Sequence, residues 1–192
     1  LHLFALKKLG AKIKIKNGYI IAEAKNGLKG TNINFPNISV GATENAILAA
    51  SNAKGRTTLN NCAIEPEIED LIFFLNKLGS RIKIVGRKIV INGSQNIKKK
   101  INHKIIFDRI EAGTYMVAAA LIGKRILLTN VNPKVIKTEI NVLKTMGVNI
   151  KIENSNIIII KSGKIKTINI STKPYPGFPT DLQAQLMVLM TC

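Results

Sequence analysis

The sequence contains few aromatic residues, few cysteines and no tryptophan. Only 5% of its 192 residues are aromatic, so aliphatic side chains must form most of the core. The two cysteines, Cys62 and Cys192, and the two histidines, His2 and His103, follow no metal-ligand spacing. The sequence therefore offers no disulfide framework and no Cys/His metal site, and it favours a reduced, cytoplasmic setting.

Long apolar runs and targeting signals are also missing. No run approaches the ~18 apolar residues that a membrane span needs. The opening LHLFALKKLG has no basic region ahead of an apolar run, unlike a secretory signal. The first residue is not Met, so we expect that either the true start or a longer parent lies outside the given sequence. With 46% hydrophobic residues, the chain is expected to be globular, with one or two domains.

Acidic residues are scarce compared with basic ones, and the formal net charge is +18. Lysine supplies most of this charge, and the only compact run is Lys98-Lys99-Lys100. Lys, Ile and Asn are abundant together and share A/T-rich codons, so coding bias explains the excess without a partner. A basic nucleic-acid-binding module remains an alternative, and the same field would attract a small anionic substrate.

A pattern recurs three times, roughly 70 residues apart. Stretches beginning at Leu6, Leu75 and Leu143 share Leu-x-x-Leu/Met-Gly-x-x-Ile-Lys-Ile. The pattern predicts a helix that ends at glycine, which adopts left-handed backbone without a Cβ clash, and then an alternating strand. Tight turns are predicted at Asn17-Gly18, Gly86-Arg87 and Asn154-Ser155. Return strands are predicted over residues 19–23, 88–91 and 157–160.

The segments between these hairpins repeat as well. In the first complete copy, strands are predicted over 32–35 and 57–60, and helices over 43–53 and 66–78. In the second copy, strands are predicted over 104–107 and 125–129, and helices over 112–122 and 133–146. A third copy begins with a strand over 166–170 and a helix from Asp181. The repeating unit is therefore βαβαββ.

The number of units predicts an internal piece of a larger protein. The chain opens with the last helix and hairpin of one unit, continues through two full units and stops after the first helix of another. That last helix is expected to leave an apolar face, Leu182, Leu186 and Leu189, uncovered, because such units bury their helices against neighbours.

Five motifs give the sequence a family resemblance. They are Leu1-His2-Leu3-Phe4, Ser39-Val40-Gly41-Ala42-Thr43, Glu65-Pro66-Glu67-Ile68, Asp108-Arg109-Ile110-Glu111-Ala112-Gly113-Thr114 and Phe178-Pro179-Thr180-Asp181-Leu182-Gln183-Ala184-Gln185. In type and order they resemble the UDP-N-acetylglucosamine enolpyruvyl transferases (UDP-N-acetylglucosamine 1-carboxyvinyltransferases). The resemblance implies an α/β fold, an inside-out barrel of two domains with three βαβαββ units each. Residues 1–106 would be the second half of one domain and residues 107–192 the first half of the other.

The resemblance also implies a reaction. The enolpyruvyl group of phosphoenolpyruvate would move to the 3-hydroxyl of UDP-N-acetylglucosamine, with release of phosphate, in the first committed step of peptidoglycan biosynthesis. No metal or organic cofactor is implied. The substrates would bind in a cleft between the domains.

Candidate site residues follow from the motifs. The resemblance makes Asp181 the proposed base for the sugar hydroxyl, whereas by spacing alone an acidic residue at a helix start needs no catalytic role. Ser39, Val40 and Gly41 would contact the nucleotide, because N–H groups at a helix start suit a diphosphate; by spacing alone they are an ordinary cap. Leu1 would border the uracil.

The sequence also departs from the family pattern. Asn37 stands where the family commonly has Lys, and the phosphoenolpyruvate-binding Lys, the Arg residues and the reactive Cys loop fall outside the chain. Neither cysteine lies in that loop motif. Glu65, Glu67 and Arg109 are interpreted as an interdomain salt-bridge group rather than assigned chemistry. Two interpretations of the chain follow: a transferase fragment, whole in its parent protein or complemented by other pieces of the same enzyme, and an inactive gene relic.

Overall fold

The chain forms two compact units, Leu1–Ile105 and Ile106–Cys192. The computed structural model describes residues 1–93, 100–123, 125–160 and 163–191. Cys192 and the first two lysines of the 98–100 run therefore lie outside the described residues. Each unit has its own hydrophobic core, centred on side chains such as Ile47 and Leu59 in the first and Met116 and Ile157 in the second.

The first unit contains three helices and six strands among its described residues. They are α1 (His2–Lys8), β1 (Lys12–Lys16), β2 (Tyr19–Glu23), β3 (Asn32–Asn34), α2 (Val40–Ser51), β4 (Arg56–Asn60), α3 (Pro66–Leu78), β5 (Arg81–Val85) and β6 (Lys88–Asn92). Strands β1 and β2 form a separate hairpin, and the other strands form a sheet in the order β3-β4-β6-β5. Strand β3 is parallel to β4, and the remaining pairs are antiparallel.

The second unit contains three helices and three strands among its described residues. They are α4 (Arg109–Ile122), β7 (Arg125–Leu128), α5 (Lys137–Thr145), β8 (Asn149–Glu153), β9 (Asn156–Ile160) and, after a 3-10 turn at Thr180–Leu182, α6 (Gln183–Thr191). Its sheet has the order β7-β9-β8 and is antiparallel. The mixed α/β class predicted from the repeat is confirmed.

The repeated helix-glycine-hairpin pattern forms as predicted. Gly10, Gly79 and Gly147 follow their helices with φ of 98°, 114° and 96°, in the left-handed region. A side chain at these positions would be strained, which explains why the pattern has glycine there. Each glycine directs the chain into a hairpin: β1–β2, β5–β6 or β8–β9.

Two predicted strands do not form, so the βαβαββ pattern is incomplete in the structure. Residues 104–107 and 166–170 are not strands. The first of these segments follows His103, whose Nε2 lies 3.1 Å from both carboxylate oxygens of Asp70 on α3 and whose ring lies against Phe73 and Phe74. The second makes one backbone bond, from Lys166 N–H to the Met146 carbonyl. An extended segment without a hydrogen-bonded neighbour along its length is not a strand.

Four helices begin at positions other than those predicted; the last of them, α6, begins at Gln183 after a 3-10 turn rather than at Asp181. Helix α2 begins three residues earlier, at Val40, and α4 three residues earlier, at Arg109, because side chains cap both. Helix α5 begins at Lys137 instead of Pro133. Asn132 explains this delay: its side-chain oxygen accepts from Lys134 N–H and its carbonyl from Val135 N–H, a local turn that competes with a helix.

The apolar face of the last helix is buried, so the prediction that it would be uncovered was wrong. Leu182, Leu186 and Leu189 are 1–2% exposed within the core of the second unit. They pack against the core side of α4, which spacing along α6 alone does not reveal. The exposed apolar side chains of this helix are instead Met187 and Val188. Among the described residues, no helix reaches the length and apolar character that a bilayer crossing requires.

Candidate functional site

The start of α2 presents backbone N–H groups outward. Ser39 is the N-cap, with extended backbone, and its Oγ accepts from Ala42 N–H at 3.3 Å. The carbonyl of Ser39 accepts from Thr43 N–H at 3.0 Å, the first bond of the helix ladder. The N–H groups of Val40 and Gly41 precede that bond and lie outside the helix's own hydrogen bonds. A helix start of this kind can bind an anion.

Leu1 lies close to this helix start because His2 links the two. The ring of His2 lies against Gly41, where an added Cβ would stand 3.2 Å from Cε1 of the ring. The Nδ1 atom of His2 is 3.2 Å from Nδ2 of Asn45, one turn further along α2. Leu1 is therefore one residue away from a side chain that contacts the start of α2. The contact through His2 is a residue role that sequence spacing did not reveal.

The equivalent start of α4 is filled by its own side chain. Asp108 is the N-cap, and its Oδ1 accepts from Ile110 N–H at 2.8 Å and from Glu111 N–H at 3.0 Å. A carboxylate at a helix start satisfies the N–H groups and the positive end of the helix dipole together. The carboxylate of Asp108 is therefore the anion bound at this helix start.

Asp181 lies in a third repeat-equivalent position, within the 3-10 turn that precedes α6. Its carboxylate is exposed, and the turn has no side-chain cap. Phe178 and Pro179 before it, and Leu182 after it, are buried. The backbone of this turn is thus held on both sides while the carboxylate points away from the core.

Residues of helix α4 contact the turn that carries Asp181 and the start of α6. A Cβ on Gly113 would overlap the side chain of Leu182, so a larger residue there would require Leu182 to shift. One turn further, Gln185 Nε2 donates to Thr114 Oγ1 at 3.0 Å. These contacts fix the backbone that carries Asp181, which is what a positioned acid or base requires. Gly113 and Thr114 stand in the fourth motif, but their contacts were not predicted.

Arg109 lies beside Glu139 in the second unit, with Nη1 and Oε1 separated by 3.9 Å. Both side chains are buried. The centre of the Tyr175 ring lies 6.0 Å from Cζ of the Arg109 guanidinium. Burial raises the pKa of Glu139 above its usual value, and the attraction of Arg109 offsets only part of that rise. Glu139 is a partner that the sequence analysis missed. The interdomain pairing suggested for Glu65, Glu67 and Arg109 stays a prediction.

An acidic group lies near α2. Burial raises the pKa of Glu44, and the charges of Glu67 and Glu65 raise it further. Glu44 follows Val40 by one helical turn, so its charge opposes anion binding at that end of the helix.

Neither a reactive thiol nor a metal cluster belongs to the described site. Burial raises the pKa of the Cys62 thiol to about 12, so its nucleophilic thiolate is scarce at neutral pH. No three His, Cys, Asp or Glu side chains within the described residues are grouped to hold a metal ion. The first unit therefore offers N–H donors at the start of α2, and the second unit offers the exposed carboxylate of Asp181.

Comparisons with known proteins give one family. The family model for EPSP synthase (3-phosphoshikimate 1-carboxyvinyltransferase) matches residues 1–192. A curated relative from Pelagibacter ubique, named UDP-N-acetylglucosamine 1-carboxyvinyltransferase, is 56% identical over 191 residues, 99% of this chain and 46% of the relative. A relative of the same name from Halothermothrix orenii is 48% identical over 192 residues, 100% of this chain and 46% of the relative. The chain spans about half the length of these relatives.

Solved structures resemble the chain in fold. The enolpyruvyl transferase NikO from Streptomyces tendae superposes with a TM-score of 0.85 and 22% identity, over 97% of this chain and 47% of that protein. An EPSP synthase from Acinetobacter baumannii gives a TM-score of 0.60 and 25% identity, over 87% of this chain and 40% of that protein. The described fold is therefore part of an enolpyruvyl transferase fold.

Proposed function

The chain belongs to the EPSP synthase family of enolpyruvyl transferases, and from that premise we propose that it forms part of an enzyme acting on UDP-N-acetylglucosamine. The enzyme transfers the enolpyruvyl group of phosphoenolpyruvate to the sugar 3-hydroxyl in the cytoplasm, as a step of peptidoglycan biosynthesis. The observation that carries this proposal is 56% identity over 191 residues to a relative named for that reaction. Identity to the solved EPSP synthase is only 25%.

We assign residues 1–106 to the second half of one transferase domain and residues 107–192 to the first half of the other. The described structure divides the chain one residue earlier, between Ile105 and Ile106. The rest of each domain is the partner that this assignment requires, supplied by a longer parent or by a complementary piece of the same enzyme. No cofactor enters the proposed reaction.

The start of α2 is the proposed diphosphate site. The N–H groups of Val40 and Gly41 point outward beside the Ser39 cap, and a diphosphate supplies the oxygens that such groups bind. Asn37 donates hydrogen bonds without a charge, so the helix N–H groups and the net charge of +18 have a larger share in attracting the anion. Leu1, one residue from the His2 contact, then borders the uracil.

Asp181 is the proposed general base. In the transfer, a bond forms between the sugar O3 and C2 of phosphoenolpyruvate, the bond from C2 to the phosphate oxygen breaks, and the hydroxyl proton must leave O3. An exposed carboxylate on a fixed turn can accept that proton if it lies within hydrogen-bond distance of O3. The contacts of Gly113 and Thr114 with α6 support this role, since they hold the turn in place.

A chimeric enzyme tests the function. In the Pelagibacter ubique relative, the matching segment is replaced by this chain, and phosphate release from phosphoenolpyruvate is measured. We expect release with UDP-N-acetylglucosamine as the acceptor and little with 3-phosphoshikimate. The unaltered relative is the positive control. The chain alone should release no phosphate, because it spans only 46% of that relative.

The same chimera separates the alternatives. A folded chimera without activity would indicate an inactive gene relic. A preference for 3-phosphoshikimate would contradict the proposed acceptor. A basic nucleic-acid-binding module, suggested by the net charge of +18, predicts DNA or RNA binding to the chain that weakens steeply with salt.

A further inference from the structure

The sheet of the first unit, β3-β4-β6-β5, has two faces of different character. Successive residues of a strand point to opposite faces of a sheet. The second and fourth residues of its strands, such as Ile33, Leu59 and Ile89, are buried or half-buried in the core of the unit. The first, third and fifth residues lie on the other side, which we call the outward face. This face is not part of that core.

The outward face is basic. Its charged residues are Arg56, Arg81, Lys83 and Lys88, all of them exposed, and the four strands contain no Asp or Glu. Arg81 and Arg56 stand on either side of Asn92, so their backbones are two strand spacings, about 10 Å, apart. Lys83 follows Arg81 by two residues, about 7 Å along β5. The positive charges are therefore spread over a surface instead of being focused in a cleft.

The corresponding face of the second unit differs. In β8, Ile150 is buried, so Lys151 and Glu153 lie on the side away from the core, and both are exposed. In β7, Arg125 is exposed as well. This face therefore carries a carboxylate beside two basic side chains. Since the repeat itself does not require an acid-free basic face, that property belongs to the first sheet alone.

The outward face also has an exposed apolar side chain and lacks aromatic ones. Val85 is 78% exposed and stands opposite Lys88 at the end of the β5–β6 hairpin. Residues paired across strands share a face, so the valine and the lysine lie side by side. The four strands contain no Phe, Tyr or Trp. The face thus offers no stacking platform for nucleobases, whereas an apolar side chain beside a cationic one fits the boundary between lipid headgroups and acyl chains.

We propose that the outward face binds the surface of a bilayer rich in anionic phospholipids, with its four basic side chains against the lipid phosphates and Val85 at the acyl boundary. Each basic residue near an anionic membrane surface strengthens binding about fivefold. A peripheral contact of this kind needs no membrane-spanning helix. The proposal depends on the charge of this sheet and not on the proposed reaction.

Vesicle sedimentation with the intact chain tests the proposal. The probes are vesicles of phosphatidylglycerol and phosphatidylcholine in equal parts, and vesicles of phosphatidylcholine alone. We expect binding to the first kind only, with release when NaCl is raised from about 0.1 M to about 1 M, which shortens the Debye length from ~10 Å to ~3 Å. The double variant Lys83→Gln, Lys88→Gln should bind about 25-fold more weakly, because two charges are lost.

The matched control removes two charges from the corresponding face of the second unit. The double variant Arg125→Gln, Lys151→Gln has the same net charge as the first double variant, and its exposed positions also lie on strands. Its binding should stay near that of the parent chain. Equal losses in the two double variants would overturn the proposal, because they would show that net charge and not this face attracts the vesicles.

Tryptophan fluorescence tests the position of Val85. The chain has no Trp, so Val85→Trp introduces a single emitter. Its emission should shift to the blue on vesicles that contain phosphatidylglycerol. Ile122→Trp, at a residue of α4 that is 84% exposed, is the control and should not shift. Equal shifts at both positions, or no shift at Val85→Trp, would overturn the proposed orientation.

The chimeric enzyme separates this inference from the proposed reaction. The double variant Lys83→Gln, Lys88→Gln should leave phosphate release by the chimera unchanged and weaken its binding to vesicles. A chimera that releases phosphate but does not bind vesicles would overturn the inference and leave the proposed function intact. Tighter binding of the chain to a single-stranded oligonucleotide than to vesicles, lost in the same variant, would overturn it in favour of a nucleic acid.

Discussion

Helices α2 and α4 begin at equivalent positions of the repeat, but their ends have opposite chemistry. At α2, a hydroxyl caps one N–H at 3.3 Å and leaves those of Val40 and Gly41 directed outward. At α4, the Asp108 carboxylate accepts from two N–H groups at 2.8 and 3.0 Å. The same fold position is therefore available to an external anion in one unit and is occupied by an internal anion in the other.

The third equivalent position, before α6, shows a further solution. There the N-cap residue is Pro179, and the 3-10 turn has no side-chain cap. The carboxylate of Asp181, two residues later, is exposed instead of bonded to the helix. The start of α2 thus presents N–H donors, the Asp108 carboxylate already binds those at the start of α4, and the turn before α6 presents the Asp181 carboxylate as an acceptor.

The largest expected effect concerns Asp181, the exposed carboxylate before α6. In the chimeric enzyme, Asp181→Asn should slow the chemical step by ~10²–10⁴-fold, the usual range for a positioned general base. UDP-N-acetylglucosamine binding should weaken much less, because the amide still forms hydrogen bonds. Single-turnover rates and melting temperature are measured on the same variant. Glu111→Gln, at an exposed carboxylate on α4, is the control for lost charge. Unchanged turnover with a lower melting temperature would remove Asp181 from the mechanism.

A proline at α2 tests whether its donors bind the diphosphate. Val40 is the first helical residue, where proline is well tolerated, and the preceding Ser39 has ψ of 123°, which a following proline accepts. Val40→Pro should therefore preserve folding but remove one outward N–H. Affinity of the chimera for UDP should fall about tenfold or more, since a hydrogen bond to a charged group is lost. Calorimetric titration measures this change.

Val40→Ala is the matched control for the proline variant, because it shortens the side chain but keeps the N–H group. Its affinity for UDP should stay near that of the parent chimera. Equal affinities for the proline and alanine variants would mean that this N–H group does not contact the diphosphate.

The caps themselves should differ in their contribution to stability. Asp108→Ala removes two charge-assisted bonds and should lower the unfolding free energy by about 1–2 kcal/mol. Ser39→Ala removes one longer bond and should lower it by about 0.5–1 kcal/mol. Urea unfolding of the chain and its two variants measures both changes. A larger loss at Ser39 than at Asp108 would contradict the comparison, because the more weakly capped end would then be the more important one.

The local pattern of the fold could be predicted because its signals are local. In the helix-glycine-hairpin pattern, the residue types themselves indicate the local conformation. Glycine stands where φ is positive, Ile and Lys alternate in the strands, and Asn17-Gly18 forms the first turn. Residues 104–107 and 166–170 could not be predicted correctly in the same way. A strand depends on a neighbour that lies far away in the sequence, and the His103–Asp70 contact that holds one of these segments on α3 has no local signal.

The same distinction applies to the site. The family resemblance indicated Ser39, Gly41 and Asp181, whereas spacing alone favoured ordinary helix-start residues at these positions. The residues that hold them in place, His2 beside Gly41 and Gly113 beneath Leu182, were not predicted. Their contacts join separate elements of the chain. Only the folded structure shows which faces meet.

The smallest expected effect concerns the buried side of α4, where Arg109 lies 3.9 Å from Glu139. Burial raises the pKa of this carboxyl, whereas a hydrogen bond from the backbone of Glu139 and the charge of Arg109 lower it. Because burial is the larger, the folded pKa lies above the unfolded one, and the folded state holds the Glu139 proton to higher pH. The contribution of Glu139 to stability is therefore highest below the unfolded pKa and falls as pH rises through the folded pKa.

We expect the unfolding free energy of the chain, relative to Glu139→Gln, to fall as pH rises from the ordinary carboxyl range toward neutral. Urea titrations across that range measure it, with Glu153→Gln as an exposed carboxylate control. A difference that rises with pH would show that the attraction of Arg109 outweighs burial, and the α4 end would then gain stability from an ion pair as well as from its cap.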